Sequence, residues 1–124
     1  MITVAVDAGG ADLGPTEVAE GAARAARAGI RVLLFGPARE IGAVTAGVEV
    51  VDAPISIAKA ADPAYAARNT PDASIVQAAK AVGEGRAQAL VSGGSTGSAL
   101  AAALFNIRRD RGIYRPALDR KSVV

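Results

Sequence analysis

Short apolar runs alternate along this chain with longer stretches whose apolar positions recur every three to four residues. The runs at residues 2–6, 31–35, 48–51 and 88–91 predict four strands. The longer stretches predict helices over 15–28, 74–83 and 96–108, with a shorter one over 38–44. In the first helix Val18, Ala22, Ala25 and Ala26 share a face, and Glu17, Glu20, Arg24 and Arg27 point mostly away from it. Pro15 suits the first helical position and Gly29 the stop. Ser74 followed by Gln77 matches a capping box, with Ile75, Val76 and Ala79 as the buried stripe behind it.

Strands alternating with helices predict an α/β fold: a three-layer αβα arrangement around a mainly parallel, Rossmann-like sheet of about four strands. Between residues 52 and 72 lies a longer excursion that contains Pro54, Pro63 and Pro71, with one helical turn expected near residues 64–68. Connections of this length often wall a functional site. If the strand order is the common 3-2-1-4, strands one and four are neighbours whose helices leave on opposite faces, and the loops after them flank a crevice of the kind in which such sheets bind ligands.

At 124 residues the chain suits one domain. Thirty alanines, 14 glycines and only four aromatics (Phe35, Tyr65, Phe105 and Tyr114) mean that apolar contacts are made by small side chains and closely approaching backbones. The absence of Cys and His removes disulfides, Cys or His metal ligands, Cys nucleophiles and every His-based triad. A formal charge of +2, with no aromatic platform beside the cluster Arg108, Arg109 and Arg111, argues against nucleic acid as a partner. No run reaches the roughly 18 apolar residues of a transmembrane helix, because Arg24, Arg27 and Arg31 interrupt the most alanine-rich stretch. The first strand begins at the amino terminus with no signal peptide ahead of it, so a cytosolic protein is expected.

Two loops carry the candidate chemistry. The first strand runs into Asp7-Ala8-Gly9-Gly10-Ala11-Asp12-Leu13-Gly14-Pro15, a carboxylate followed by glycines and a helix. The fourth runs into Ser92-Gly93-Gly94-Ser95-Thr96-Gly97-Ser98, within which the next helix starts. Glycines let backbone N–H groups approach an anion, a helix amino terminus adds partial positive charge, and the hydroxyls add donors, so the second loop reads as a phosphate cradle. It is neither a Walker loop, having no Lys after the glycines, nor the dinucleotide G-x-G-x-x-G. A plain strand-to-helix turn is the alternative for each loop.

Gly93-Gly94-Ser95-Thr96-Gly97 also satisfies the G-x-S-x-G of a hydrolase nucleophile elbow, with Ser95 as nucleophile. Such a serine needs a base, and the chain has no His; Lys59 and Lys80 are distant from the motif in sequence. A serine hydrolase of α/β type is therefore the second reading, and a phosphate- or nucleotide-binding module without catalysis is the third.

Asp7-Ala8-Gly9-Gly10-Ala11-Asp12-Leu13-Gly14-Pro15 resembles the Asp-Ala-Met-Gly-Gly-Asp-x-x-Pro signature of the phosphate acyltransferase PlsX family. The resemblance continues through Glu20-Gly21-Ala22, Asp52-Ala53-Pro54, Arg68, Ser74, Val91-Ser92-Gly93-Gly94-Ser95-Thr96-Gly97 and Gly112-Ile113-Tyr114-Arg115-Pro116-Ala117-Leu118. It implies transfer of a fatty acyl group from acyl-[acyl-carrier-protein] to inorganic phosphate, giving an acyl phosphate for phospholipid synthesis. The implied partners are acyl-carrier protein and inorganic phosphate, with a homodimer at full length and a membrane-bound acyltransferase downstream. A cytoplasmic location, peripheral to the membrane at full length, is implied too, and no metal or nucleotide cofactor is. By motif match the candidate phosphate and acyl-site residues are Asp7, Gly9, Gly10 and Asp12 from the first loop, and Ser92, Ser95, Thr96 and Gly97 from the second.

The chain departs from the family pattern at Gly9, where Met is usual, at Ala11, where Gly is usual, and at Ser95, where Asn is usual. A Lys- and Ser-rich stretch ahead of the third clear helix is diluted here to Asn69, Thr70, Asp72 and Ala73. The resemblance spans roughly the first third of a family member, so the expectation is an amino-terminal fragment. Residues 1–118 would form that part. The final Asp119-Arg120-Lys121-Ser122-Val123-Val124 read as the back-translation of a sequencing-library adapter, a non-native tail.

Overall fold

The computed structural model describes residues 1–107, so the arginine cluster from Arg108, the end of the family resemblance and the tail at 119–124 lie outside the described residues. Four strands form one parallel sheet: β1 (Thr3–Asp7), β2 (Arg31–Gly36), β3 (Val48–Asp52) and β4 (Ala89–Ser92). Their order is β3-β2-β1-β4, the common order supposed above, and β1 pairs in register with both β2 and β4. Each strand runs one residue beyond its apolar pattern, to Asp7, Gly36, Asp52 and Ser92. A backbone ladder does not depend on what the side chain is.

The helices are α1 (Pro15–Arg27), α2 (Ala38–Ile41), α3 (Pro63–Asn69), α4 (Ser74–Gly83) and α5 (Thr96–Asn106). α2 stops short of the expected residue 44 because Gly42, at φ 74°, turns the chain out of the helix. α3 is longer than the single turn expected: the Asp62 carboxylate accepts from Tyr65 N at its start, and Pro63 occupies the first position.

Alternation along the strands divides the core. Val4, Val6, Ala8, Val32 and Leu34 pack with Val18, Ala22, Ala25 and Ala26 of α1, which is the face its spacing predicts. Ala5, Leu33, Phe35 and Val51 face the opposite layer, against Ala78 and Ala81 of α4. On its other side α4 packs Ile75, Val76 and Ala79 against Ala67 of α3 and Ala99, Ala101 and Ala102 of α5. Lying between the sheet and two helices, α4 is buried on both faces, and its alanines permit the close approach that this position demands.

Candidate functional site

The alternation that sends Val6 toward α1 sends Asp7, the last residue of β1, toward α4. Parallel pairing sets Ser92, the last residue of β4, directly beside it. A helix that crosses back between parallel strands begins at their carboxyl ends, so the first residue of α4, Ser74, arrives at the same point. Ser74 Oγ donates to Asp7 Oδ1 at 2.5 Å, Gly9 N donates to the same oxygen at 2.9 Å, and Ser92 Oγ donates to Oδ2 at 3.1 Å. Asp7 is only 2% exposed and Ser74 1%. Burial pushes the Asp7 carboxyl above the ordinary carboxylate value, and the hydrogen bonds from Ser74, Gly9 and Ser92 oppose that rise.

The two glycine loops touch through this cluster. Ser92 Oγ accepts from Gly94 N at 3.1 Å while it donates to Asp7. A Cβ on Gly94 would stand 2.8 Å from the carbonyl oxygen of Gly9, so the backbones meet where a side chain cannot fit. Gly10, at φ 75°, lies so close to Ala58 that an added Cβ would strike it. Ala58 belongs to the loop after β3, and that loop is held down at Ile57, whose carbonyl accepts from the buried Ser98 Oγ at 3.0 Å.

Ser95 caps α5: its Oγ accepts from Ser98 N at 3.3 Å, and its carbonyl accepts from Ala99 N at 3.1 Å. The backbone N–H groups of Ser95, Thr96 and Gly97 find no acceptor among the described residues, nor do those of Gly10, Ala11 and Asp12. Unspent donors at a helix amino terminus, beside a second set in the neighbouring loop, can receive an anion.

Of the residues singled out in the sequence, Asp7, Gly9 and Ser92 come together at the buried carboxylate, and Gly10 lies against Ala58. Ser95, Thr96 and Gly97 open α5, and Gly97 packs against Pro63. Asp12 is exposed, and its side chain makes no hydrogen bond or ion pair among the described residues. The capping box at Ser74 does not form. Ala73 is the capping residue, the Ser74 hydroxyl goes to Asp7, and Gln77 Nε2 donates to the carbonyl of Asp72 at 2.8 Å. The helix begins at Ser74 itself, and the Gln77 amide that such a box would use donates instead to the carbonyl of Ala73 at 3.0 Å. Sequence reasoning thus named Ser74 and Ser98 but did not count them among the candidate site residues; the signal for Ser74 was its place as the first residue of a crossover helix.

The nucleophile-elbow geometry is absent. That turn holds its serine in a strained conformation, whereas Ser95 has φ −67° and ψ 131°, and no non-glycine residue among those described has a positive φ.

Comparison with known proteins agrees with this picture. A family model described as "Fatty acid synthesis protein" matches residues 2–121. A protein named phosphate acyltransferase from Pelotomaculum thermopropionicum is 43% identical over 93% of this chain and 36% of its own length. Its namesake from Heliobacterium modesticaldum is 44% identical over 93% of this chain and 37% of its own, and that from Gloeobacter violaceus 39% identical over 94% and 36%. The chain therefore spans little more than a third of the curated relatives it matches. With a parallel 3-2-1-4 sheet whose two glycine loops meet at its carboxyl edge, and a match that runs nearly from end to end, the chain belongs to the fatty acid synthesis protein family.

Proposed function

We propose that residues 1–118 supply the amino-terminal α/β part of an enzyme that transfers a fatty acyl group from acyl-[acyl-carrier-protein] to inorganic phosphate. The observation that carries this reading is the set of backbone donors at Ser95, Thr96 and Gly97 that find no acceptor among the described residues, in a loop whose Gly94 meets Gly9 of the other glycine loop. The relatives' shared name supports it. In the reaction an oxygen of hydrogen phosphate attacks the thioester carbonyl carbon. A carbon–oxygen bond forms, the carbon–sulfur bond breaks, and the phosphate's proton ends on the departing thiol. The work left to the protein is to hold an anion beside a thioester and to stabilise the oxyanion that develops, and backbone amides at a helix terminus suit both tasks. Neither task requires His or Cys. A homodimer of the whole enzyme and a membrane-bound acyltransferase that consumes the acyl phosphate complete the reading. Among the described residues no helix is long and apolar enough to cross a membrane.

Thr96→Pro in the complete enzyme tests this directly. Thr96 is the first residue of α5, where proline is tolerated, and Ser95 before it already has the extended backbone that proline demands. The substitution deletes one amide hydrogen that the helix does not use. The expected result is a KM for phosphate raised about tenfold, consistent with one charge-assisted hydrogen bond of about 1.5 kcal/mol, with the melting temperature retained. An unaltered KM for phosphate would overturn the assignment of this amide to the anion.

A further inference from the structure

The buried cluster behind the crevice has a role separable from the anion site in front of it. Both carboxylate oxygens of Asp7 already accept hydrogen bonds, from Gly9 N and Ser74 Oγ on one and from Ser92 Oγ on the other. Ser92 Oγ in turn accepts from Gly94 N, so that amide is spent inward as well. Four segments meet at this one group: the end of β1, the loop that follows it, the first turn of α4 and the end of β4. The residues paired with Asp7 in the sheet are Phe35 and Ser92, and the donors that bond to it are neutral; among the described residues no charged side chain bonds to it. A carboxylate in that setting offers nothing to an arriving phosphate except repulsion. Its bonds nevertheless fix the contact between Gly9 and Gly94, and hence how the Gly10 amide stands relative to the start of α5.

We infer that Asp7 is a positioning residue and not an anion ligand, and that Ser74, reaching in from α4, is its partner in holding the two glycine loops in register for phosphate. This inference rests on the proposed anion site, and it deepens that proposal by dividing the residues of the two loops into those that receive the anion and those that hold the receivers in place. Ser74 carries as much of the function as Ser92, although it lies outside both loops.

The test is amide NMR on the 124-residue chain, with a phosphate-free arm and a phosphate arm. Without phosphate, the Gly9 and Gly94 amides, in separate loops, should titrate with a common midpoint above the ordinary carboxylate range, because both report the same group. Asp7→Asn should abolish that step, and Ser74→Ala should move its midpoint upward, since a donor to the ionised form is lost; a merely structural serine would lower stability without moving it. With inorganic phosphate as the probe, Ser74→Ala should weaken binding about three- to tenfold. Asp7→Asn keeps the shape and an acceptor for Gly9 and Ser74 while removing the negative charge, so it should bind phosphate at least as tightly as the parent, by up to about threefold. Independent midpoints for Gly9 and Gly94, or a tenfold loss in Asp7→Asn with none in Ser74→Ala, would overturn the inference. A shared midpoint with no phosphate shifts at Gly10, Thr96 or Gly97 in any variant would leave Asp7 as the organiser of the loops but would overturn both its link to phosphate and the anion site itself.

Discussion

At the scale of single residues, the most consequential group is an acid placed where acids are rarely found. Because burial raises the folded-state pKa of Asp7 above its ordinary value of 3.8, the native chain holds that proton more tightly than the unfolded chain does. The resulting stabilisation is fully present below about the ordinary value and is lost as pH rises through the folded value. Chemical denaturation at a series of pH values should therefore find the parent losing stability relative to Asp7→Asn across that window, with the difference flat on either side of it; a difference independent of pH would contradict the burial argument. Glycines can be sorted at the same scale by what a methyl group would meet. Gly94→Ala drives a Cβ to 2.8 Å from the Gly9 carbonyl and should cost about 1–3 kcal/mol. Gly21→Ala, in the exposed part of α1 with nothing within 4 Å, should gain about 0.5–1 kcal/mol. Thermal unfolding of the pair separates a glycine needed for contact from one that merely weakens a helix.

At the scale of elements, strand and helix identities were legible because their signals are local. Alternation marks β1 and β2, Pro15 and Gly29 bracket α1, and the observed strand order is the common one for alternating strands and helices. What escaped was decided by partners distant in sequence. Ser74 and Gln77 have the spacing of a capping box, but the helix begins at Ser74 itself, and its hydroxyl donates to Asp7, 67 positions away. α3 had a legible start in Asp62-Pro63, but its length depends on Ala67 finding the core that α4 and α5 form. The candidate site divides in the same way. Both glycine loops could be read from composition and order. The division between amides that are spent inward and amides left free could not, since it depends on which backbones come within hydrogen-bonding distance.

At the scale of the whole molecule, β4 is an edge strand of the described sheet, and Val91 on it is 51% exposed. Leu104 and Phe105 add exposed apolar surface on α5. Unpaired strand edges with apolar side chains favour pairing between chains. Sedimentation should accordingly find concentration-dependent association of this chain, diminished by Val91→Lys; a monomer at all concentrations would show that this edge is inert. The position of β4 also has a consequence for how the protein is made. Its serine bonds to an aspartate 85 positions earlier, so β1 acquires one neighbour from nearby sequence and the other only after most of the chain has left the ribosome. Until then one side of the central strand is bare, and the site at its end is half built. Any ligand that binds only the finished site would favour closure of that last gap and so aid the chain's maturation.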